Sequence, residues 1–151
     1  MSMVKRKSVK KTKMLQLPEG TTSIFVTTQV EGIHYWSKAW KDKLLNVNYL
    51  KHPHRHMFHL KLELQVYNDD RELEFLVMKR WLNIIGQKIF GDLAHLKPIP
   101  MSCEMIAKEI LKEVQKFVSS LDDDRIRSAS CEVSEDGENG AIVSVMFCRW
   151  S

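Results

Sequence analysis

The chain has 151 residues, 44% of them hydrophobic and 28% charged, the size and make-up of one compact domain with material for one core. No window approaches the ~18 uninterrupted apolar residues of a membrane span, and the basic N-terminus lacks the apolar run of a secretory signal, so neither is expected. The net charge of +4 belongs to one end: residues 1–13 hold Lys5, Arg6, Lys7, Lys10, Lys11 and Lys13 and no acid, which leaves the remainder near −2.

Residues 1–18 accordingly read as a basic N-terminal tail, and 19–151 as a single domain. Like charges repel and do not bury, so the tail is expected to be a solvated flexible arm. A nucleic-acid-binding or import arm is the functional alternative. The body carries no basic, aromatic-studded groove pattern to go with it, and nucleic acid is otherwise not expected as a partner.

The first element is SIFVTTQV, residues 23–30, whose β-branched side chains predict a strand. A polar loop with Trp36 and Trp40 follows. MFHLKLELQVY, residues 57–67, alternates without a break. Phe58, Leu60, Leu62, Leu64 and Val66 fall on one side, and His59, Lys61, Glu63, Gln65 and Tyr67 on the other. A strict period of two predicts a strand with one buried face.

YNDDRE is a turn. Phe75, Met78, Leu82, Ile85 and Ile89 then recur at helical spacing, and Pro98 and Pro100 close that stretch. Ser102 is placed to cap a second helix. The apolar stripe of that helix is Ile106, Ile110, Val114, Phe117, Val118 and Leu121, and Asp122–Asp124 end it. RIRSASCEVSE and AIVSVMFC, on either side of DGENG, predict a hairpin. The order strand, strand, helix, helix, strand, strand is an α+β arrangement with helices on one face of an antiparallel sheet. The three cysteines, Cys103, Cys131 and Cys148, are few, odd in number and widely spaced. That argues for a reducing compartment, the cytoplasm, and against a disulfide framework.

The unusual stretch is HPHRH, where His52, His54 and His56 fall within five residues. Side chains two apart on a strand share a face, so His54 and His56 make a two-toothed platform for zinc if the strand starts near His54. His34, just after the first strand, is the candidate third ligand, brought close by an antiparallel neighbour. Three imidazoles with a fourth position open is a catalytic zinc pattern. The pattern H-x-H alone is weak, and surface or hydrogen-bonded core histidines give it equally well.

Several segments together resemble one family. HRHMFHLKLEL resembles the HGHNY segment and following strand of the 6-pyruvoyl-tetrahydropterin and 6-carboxy-tetrahydropterin synthases. EGIHYWSKA sits where that family has its first zinc histidine. LEFLVMK resembles its DFxxLK helix start, MSCEMIAKEI its PTxENxA segment, and CEVSEDGENGAIV its final strand pair. The resemblance spans residues 22–148 in order. It implies a T-fold, a four-stranded antiparallel sheet with two helices packed on one face. It implies a homo-oligomer, commonly a hexamer, whose joined sheets form barrels with active sites between subunits. It further implies Zn2+ on His34, His54 and His56, a lyase reaction on a reduced pterin such as 7,8-dihydroneopterin triphosphate, and substrate contacts from Glu135, Glu104 and Ser102.

A carboxylate at Glu135 can accept both neighbouring N–H donors of a pterin edge in parallel. Taken alone, Glu135 also reads as a solvated turn residue, and Glu104 as a residue favoured by a helix dipole. Trp36, Trp40 and Trp81 can stack on a ligand ring or serve as core and interface.

The resemblance breaks at the proton-abstracting group. The family's cysteine, four residues before the H-x-H motif, is Leu50 here. Its Asp-His pair is expected within FGDLAHLK, where Asp92 is followed by Leu93 and the histidine is His95, three residues on from Asp92 and able to share a helical face with it. Arg55 replaces the glycine between the zinc histidines. This leaves three readings: a lyase using Asp92, His95 or His52 as base, a silent T-fold protein that binds a pterin or purine-like ligand, or a nucleic-acid-associated protein acting through its tail.

Overall fold

The computed structural model describes residues 20–40, 44–121 and 125–147. The basic tail, Asp122–Asp124 and Cys148 lie outside those residues. Strand β1 spans Thr22–His34 and β2 spans His54–Val66. Helix α1 spans Phe75–Phe90, a two-residue strand β3 spans Pro98–Ile99, and helix α2 spans Cys103–Ser119. The chain ends in β4, Ile126–Glu135, and β5, Asn139–Met146.

The sheet runs β3-β1-β2-β4-β5. Its four long strands are antiparallel, as expected. It nevertheless has five strands rather than four, because β3 adds a short parallel pairing of Pro98 and Ile99 with Ile33 and His34. Proline donates no ladder bond, so it is tolerated at such an edge.

Both helices lie on one face, α1 against β1 and β2, α2 against β4 and β5. Phe58, Leu60, Leu62 and Leu64 of β2 are 0–1% exposed beneath them. Burying each is worth about 1.5–3 kcal/mol. Slipping β2 by one residue would turn all four to solvent, at a cost on the order of a small domain's whole stability, ~5–15 kcal/mol. The same register decides which way His54 and His56 point.

Helix α1 buries Met78, Leu82, Ile85 and Phe90, with Glu74 capping its start by accepting from the Leu76 amide at 3.5 Å. Phe75 does not join that stripe. It sits in the first turn, 55% exposed. Helix α2 starts where the cap predicts, Ser102 Oγ accepting from the Met105 amide at 3.4 Å. Its buried face is Ile106, Ala107, Ile110, Leu111 and Val114.

Strand β1 runs four residues past its predicted end, through Gly32. A Cβ on Gly32 would stand 2.3 Å from the Phe90 ring, so only glycine lets that ring close over β1. Phe90 stacks on Phe58 at 4.5 Å, and this packed pair ends at the histidines. No helix among the described residues is long and apolar enough to cross a membrane.

Candidate metal centre and adjoining cavity

His34 is the last residue of β1 and His54 the first of β2, and the antiparallel register sets them opposite each other. His56 shares their face, which is also the core face of the sheet. The ring centroids stand 4.5, 5.1 and 5.3 Å apart. One nitrogen from each ring lies within 4.8 Å of the others. Phe58, the next residue on that face, meets the edges of His34 and His56 at 5.1 and 6.0 Å and gives the cluster a dry floor.

The outer nitrogens are all tied. His34 Nδ1 donates to the carbonyl of Met101 at 3.0 Å, and His54 Nδ1 to the carbonyl of His52 at 2.8 Å. His56 Nδ1 donates to Asp136 Oδ2 at 2.6 Å. Carbonyls and carboxylates only accept, so each Nδ1 carries the hydrogen. In the neutral ring that leaves a lone pair on each Nε2. His34 Nε2 is buried and has no hydrogen-bond partner among the described residues. Glu135 Oε1 stands 3.1 Å from it, within ion-pair distance but off hydrogen-bonding geometry, and Glu135 Oε2 is 3.7 Å from His56 Nε2. Burial holds the His34 pKa below its ordinary value, opposed by the Met101 carbonyl and by Glu135.

An orphaned buried nitrogen costs about 1–3 kcal/mol. A cation on it removes that cost, and three imidazoles with their outer N–H groups anchored are the donor set zinc takes. The residues present therefore fit the metal.

Beside the cluster opens a cavity of about 470 Å³, walled by Tyr35, Trp36, Leu50, Met101, Ser102, Cys103, Glu104, Glu135 and Asn139. A cleft of about 550 Å³ on the far side, around Gln29, His59, Lys61 and Glu132, is larger but gathers no comparable ligand set. Glu135 closes β4 opposite Phe58. Ser102 and Glu104 open α2, and the Ser102 hydroxyl, followed by the Glu104 backbone, holds the Glu104 carboxyl below its ordinary range.

Leu50, at the cysteine position of the resemblance, presents hydrocarbon to the cavity. Cys103 was not singled out from sequence, although it directly follows the capping serine. It donates through Sγ to Glu135 Oε1 at 3.7 Å. Burial, then Glu135 and Glu104, push its pKa up to about 12, so it is a thiol near neutrality.

The remaining candidates lie apart from the cavity walls. His52 ends a 3₁₀ turn over Asn48–Lys51, is exposed, and contributes its carbonyl to His54. Asp92 and His95 do not share a helical face. Gly91, at φ +90°, ends α1, and the two meet in an exposed turn with His95 Nδ1 3.2 Å from Asp92 Oδ1. Of the tryptophans, Trp36 walls the cavity and meets Trp40 edge-on at 4.8 Å, while Trp81 packs on Phe117 at 5.8 Å.

Fold and site together define a protein with the T-fold of the tetrahydropterin synthases. Among solved structures, the chain resembles 6-pyruvoyl tetrahydropterin synthase from Plasmodium falciparum with a TM-score of 0.62 at 17% identity, covering 85% of this chain and 100% of that one. The Plasmodium vivax enzyme gives 0.57 at 13%, with the same coverage. A P. vivax variant in which a catalytic glutamate is replaced by alanine gives 0.58 at 13%, and one with cysteine in its place gives 0.57 at 11%, each covering 85% of this chain and 100% of that one. No protein-family model matches the chain, and no curated protein matches it in sequence.

Proposed function

We propose that the chain is a zinc-dependent tetrahydropterin-synthase-like lyase acting on a reduced pterin such as 7,8-dihydroneopterin triphosphate. The observation that carries this reading is the set of three imidazoles with every Nδ1 anchored and a buried Nε2 on His34 without a hydrogen-bond partner among the described residues. Zinc bound by His34, His54 and His56 would supply a Lewis acid that lowers the pKa of a substrate hydroxyl.

The chain's own groups do the rest. Glu135 accepts the two adjacent N–H donors of the pterin edge, a charge-assisted pair that fixes the ring's orientation. Ser102 and Glu104 line the cavity as further polar contacts, and the exposed face of Trp36 offers a stacking surface. Proton transfer is assigned to the Asp92–His95 pair, whose exposure lets it serve a site completed by a neighbouring subunit, with His52 as the alternative base. The Plasmodium vivax enzyme has a catalytic glutamate, so a carboxylate can serve in catalysis on this fold. Assembly is also expected because, among the described residues, β5 and most of β1 leave sheet edges open. Sedimentation is expected to give a multiple of the chain mass, and a monomer would contradict the shared site.

The second reading is a silent pterin- or purine-binding protein. Leu50 on the cavity wall and the un-ionised Cys103 favour it. Incubating the zinc-loaded protein with 7,8-dihydroneopterin triphosphate separates the two. Triphosphate release that fails in Glu135→Gln supports the lyase. Binding without release supports the silent protein. Neither binding nor release overturns both and leaves the tail-led nucleic-acid reading.

A further inference from the structure

We infer that Asp136 is the positioning residue of the metal centre, its carboxylate fixing the tautomer and orientation of His56 so that Nε2 is presented to the metal. The inference rests on the reading of His34, His54 and His56 as metal ligands.

Asp136 makes three bonds to two consecutive residues of β2. Its Oδ2 accepts from His56 Nδ1 at 2.6 Å, its Oδ1 accepts from the Met57 amide at 2.9 Å, and its own amide donates to the Met57 carbonyl at 2.9 Å. The side chain is therefore clamped at both oxygens. Its distance from His56 is that of a short, charge-assisted bond.

The backbone supports the same conclusion. Asp136 has φ +53° and Gly137 φ +76° in the turn between β4 and β5. Glycine adopts the left-handed region with least strain, and aspartate tolerates it at some cost. What aspartate adds at this position is the carboxylate.

The three ligands are also not equivalent. His34 and His54 hand their Nδ1 hydrogens to neutral peptide carbonyls, while His56 alone hands its hydrogen to a carboxylate. A carboxylate behind a ligating imidazole fixes its tautomer and raises its basicity. Asp136 directly follows Glu135, so the same clamp holds the end of the strand that aims Glu135 at the cavity. Sequence separation hides the arrangement, since Asp136 and His56 are 80 residues apart.

The test uses the full chain, with zinc alone as probe. Wild type, Asp136→Asn, Asp136→Gly and the neighbouring turn variant Glu138→Gln are compared by competition against a chromophoric chelator. Zinc affinity is expected to fall roughly 10- to 100-fold in the two Asp136 variants, with the larger loss in Asp136→Gly, and to stay unchanged in Glu138→Gln. Asparagine keeps an acceptor and tolerates the backbone, so it controls for folding, which circular dichroism checks.

The second readout is the tautomer of each imidazole, read by nitrogen-15 NMR. His56 should lose its exclusive Nδ1–H form in Asp136→Gly while His34 and His54 keep theirs, a selectivity that a merely structural turn residue would not produce. Equal zinc affinity across all four proteins, or an unchanged His56 tautomer, overturns the role of Asp136 while leaving the metal site standing. Absence of zinc binding in wild type overturns the metal site itself, and this inference with it.

Discussion

At the scale of single residues, burial and hydrogen bonding together decide the chemistry of the histidine cluster. His34 is 6% exposed, and burial holds its pKa below the ordinary value near 6.5. In the metal-free protein the folded state therefore keeps His34 neutral, while the unfolded chain takes up a proton at about 6.5. Its contribution to stability is present above that value and is lost as pH falls below it toward the lowered folded pKa. Melting temperatures of the metal-free protein between about pH 7.5 and 5 should fall more steeply for wild type than for His34→Gln. Parallel slopes would show that His34 is not held neutral by the fold. With zinc bound the dependence should steepen, because the ligands must be deprotonated.

At the scale of elements, the site exists because two strand ends meet in one register. The alternation of Phe58, Leu60, Leu62 and Leu64 commits β2 to one face and carries His54 and His56 with it. Gly32 permits the other half, letting Phe90 cover β1 just before His34. Gly32→Ala puts a methyl group into the Phe90 ring and should cost about 1–3 kcal/mol of stability, measured by chemical denaturation. A neutral effect would mean that the Phe90 packing is loose.

These elements also show what was readable beforehand. The strict period of β2 and the serine cap of α2 are local signals, and both were legible. The last four residues of β1 were not, because Gly32 answers to Phe90 of a neighbouring helix and Glu31 to Arg55 of β2 rather than to strand propensity. Strand β3 is two residues that gain meaning only by pairing with β1. The Asp92–His95 geometry depended on where Gly91 ends α1, and the Phe75 position on how the first turn of that helix faces solvent. Of the site, the three histidines and Glu135 were legible through spacing and resemblance. Asp136 and Cys103 were not, since their importance lies in contacts made across the fold.

At the scale of the whole molecule, a TM-score of 0.62 at 17% identity means that the architecture is carried by the pattern of buried positions rather than by particular residues. What this chain keeps in addition is specific: three histidines on two strand ends, a carboxylate beside them, and a cavity between α2 and the loop after β1. What differs from the resemblance is equally specific, with leucine at the position of its proton-abstracting cysteine and a buried thiol, Cys103, lining the same cavity. In the proposed function the kept half binds and orients, and a cation on the three histidines would complete it. Metal content of the purified full-length protein, beside a His54→Ala/His56→Ala double variant, tests this most directly. The account predicts about one zinc per chain, as the donor set of a single tetrahedral site requires, and its loss in the variant. Wild-type protein free of zinc after metal-replete purification would contradict it.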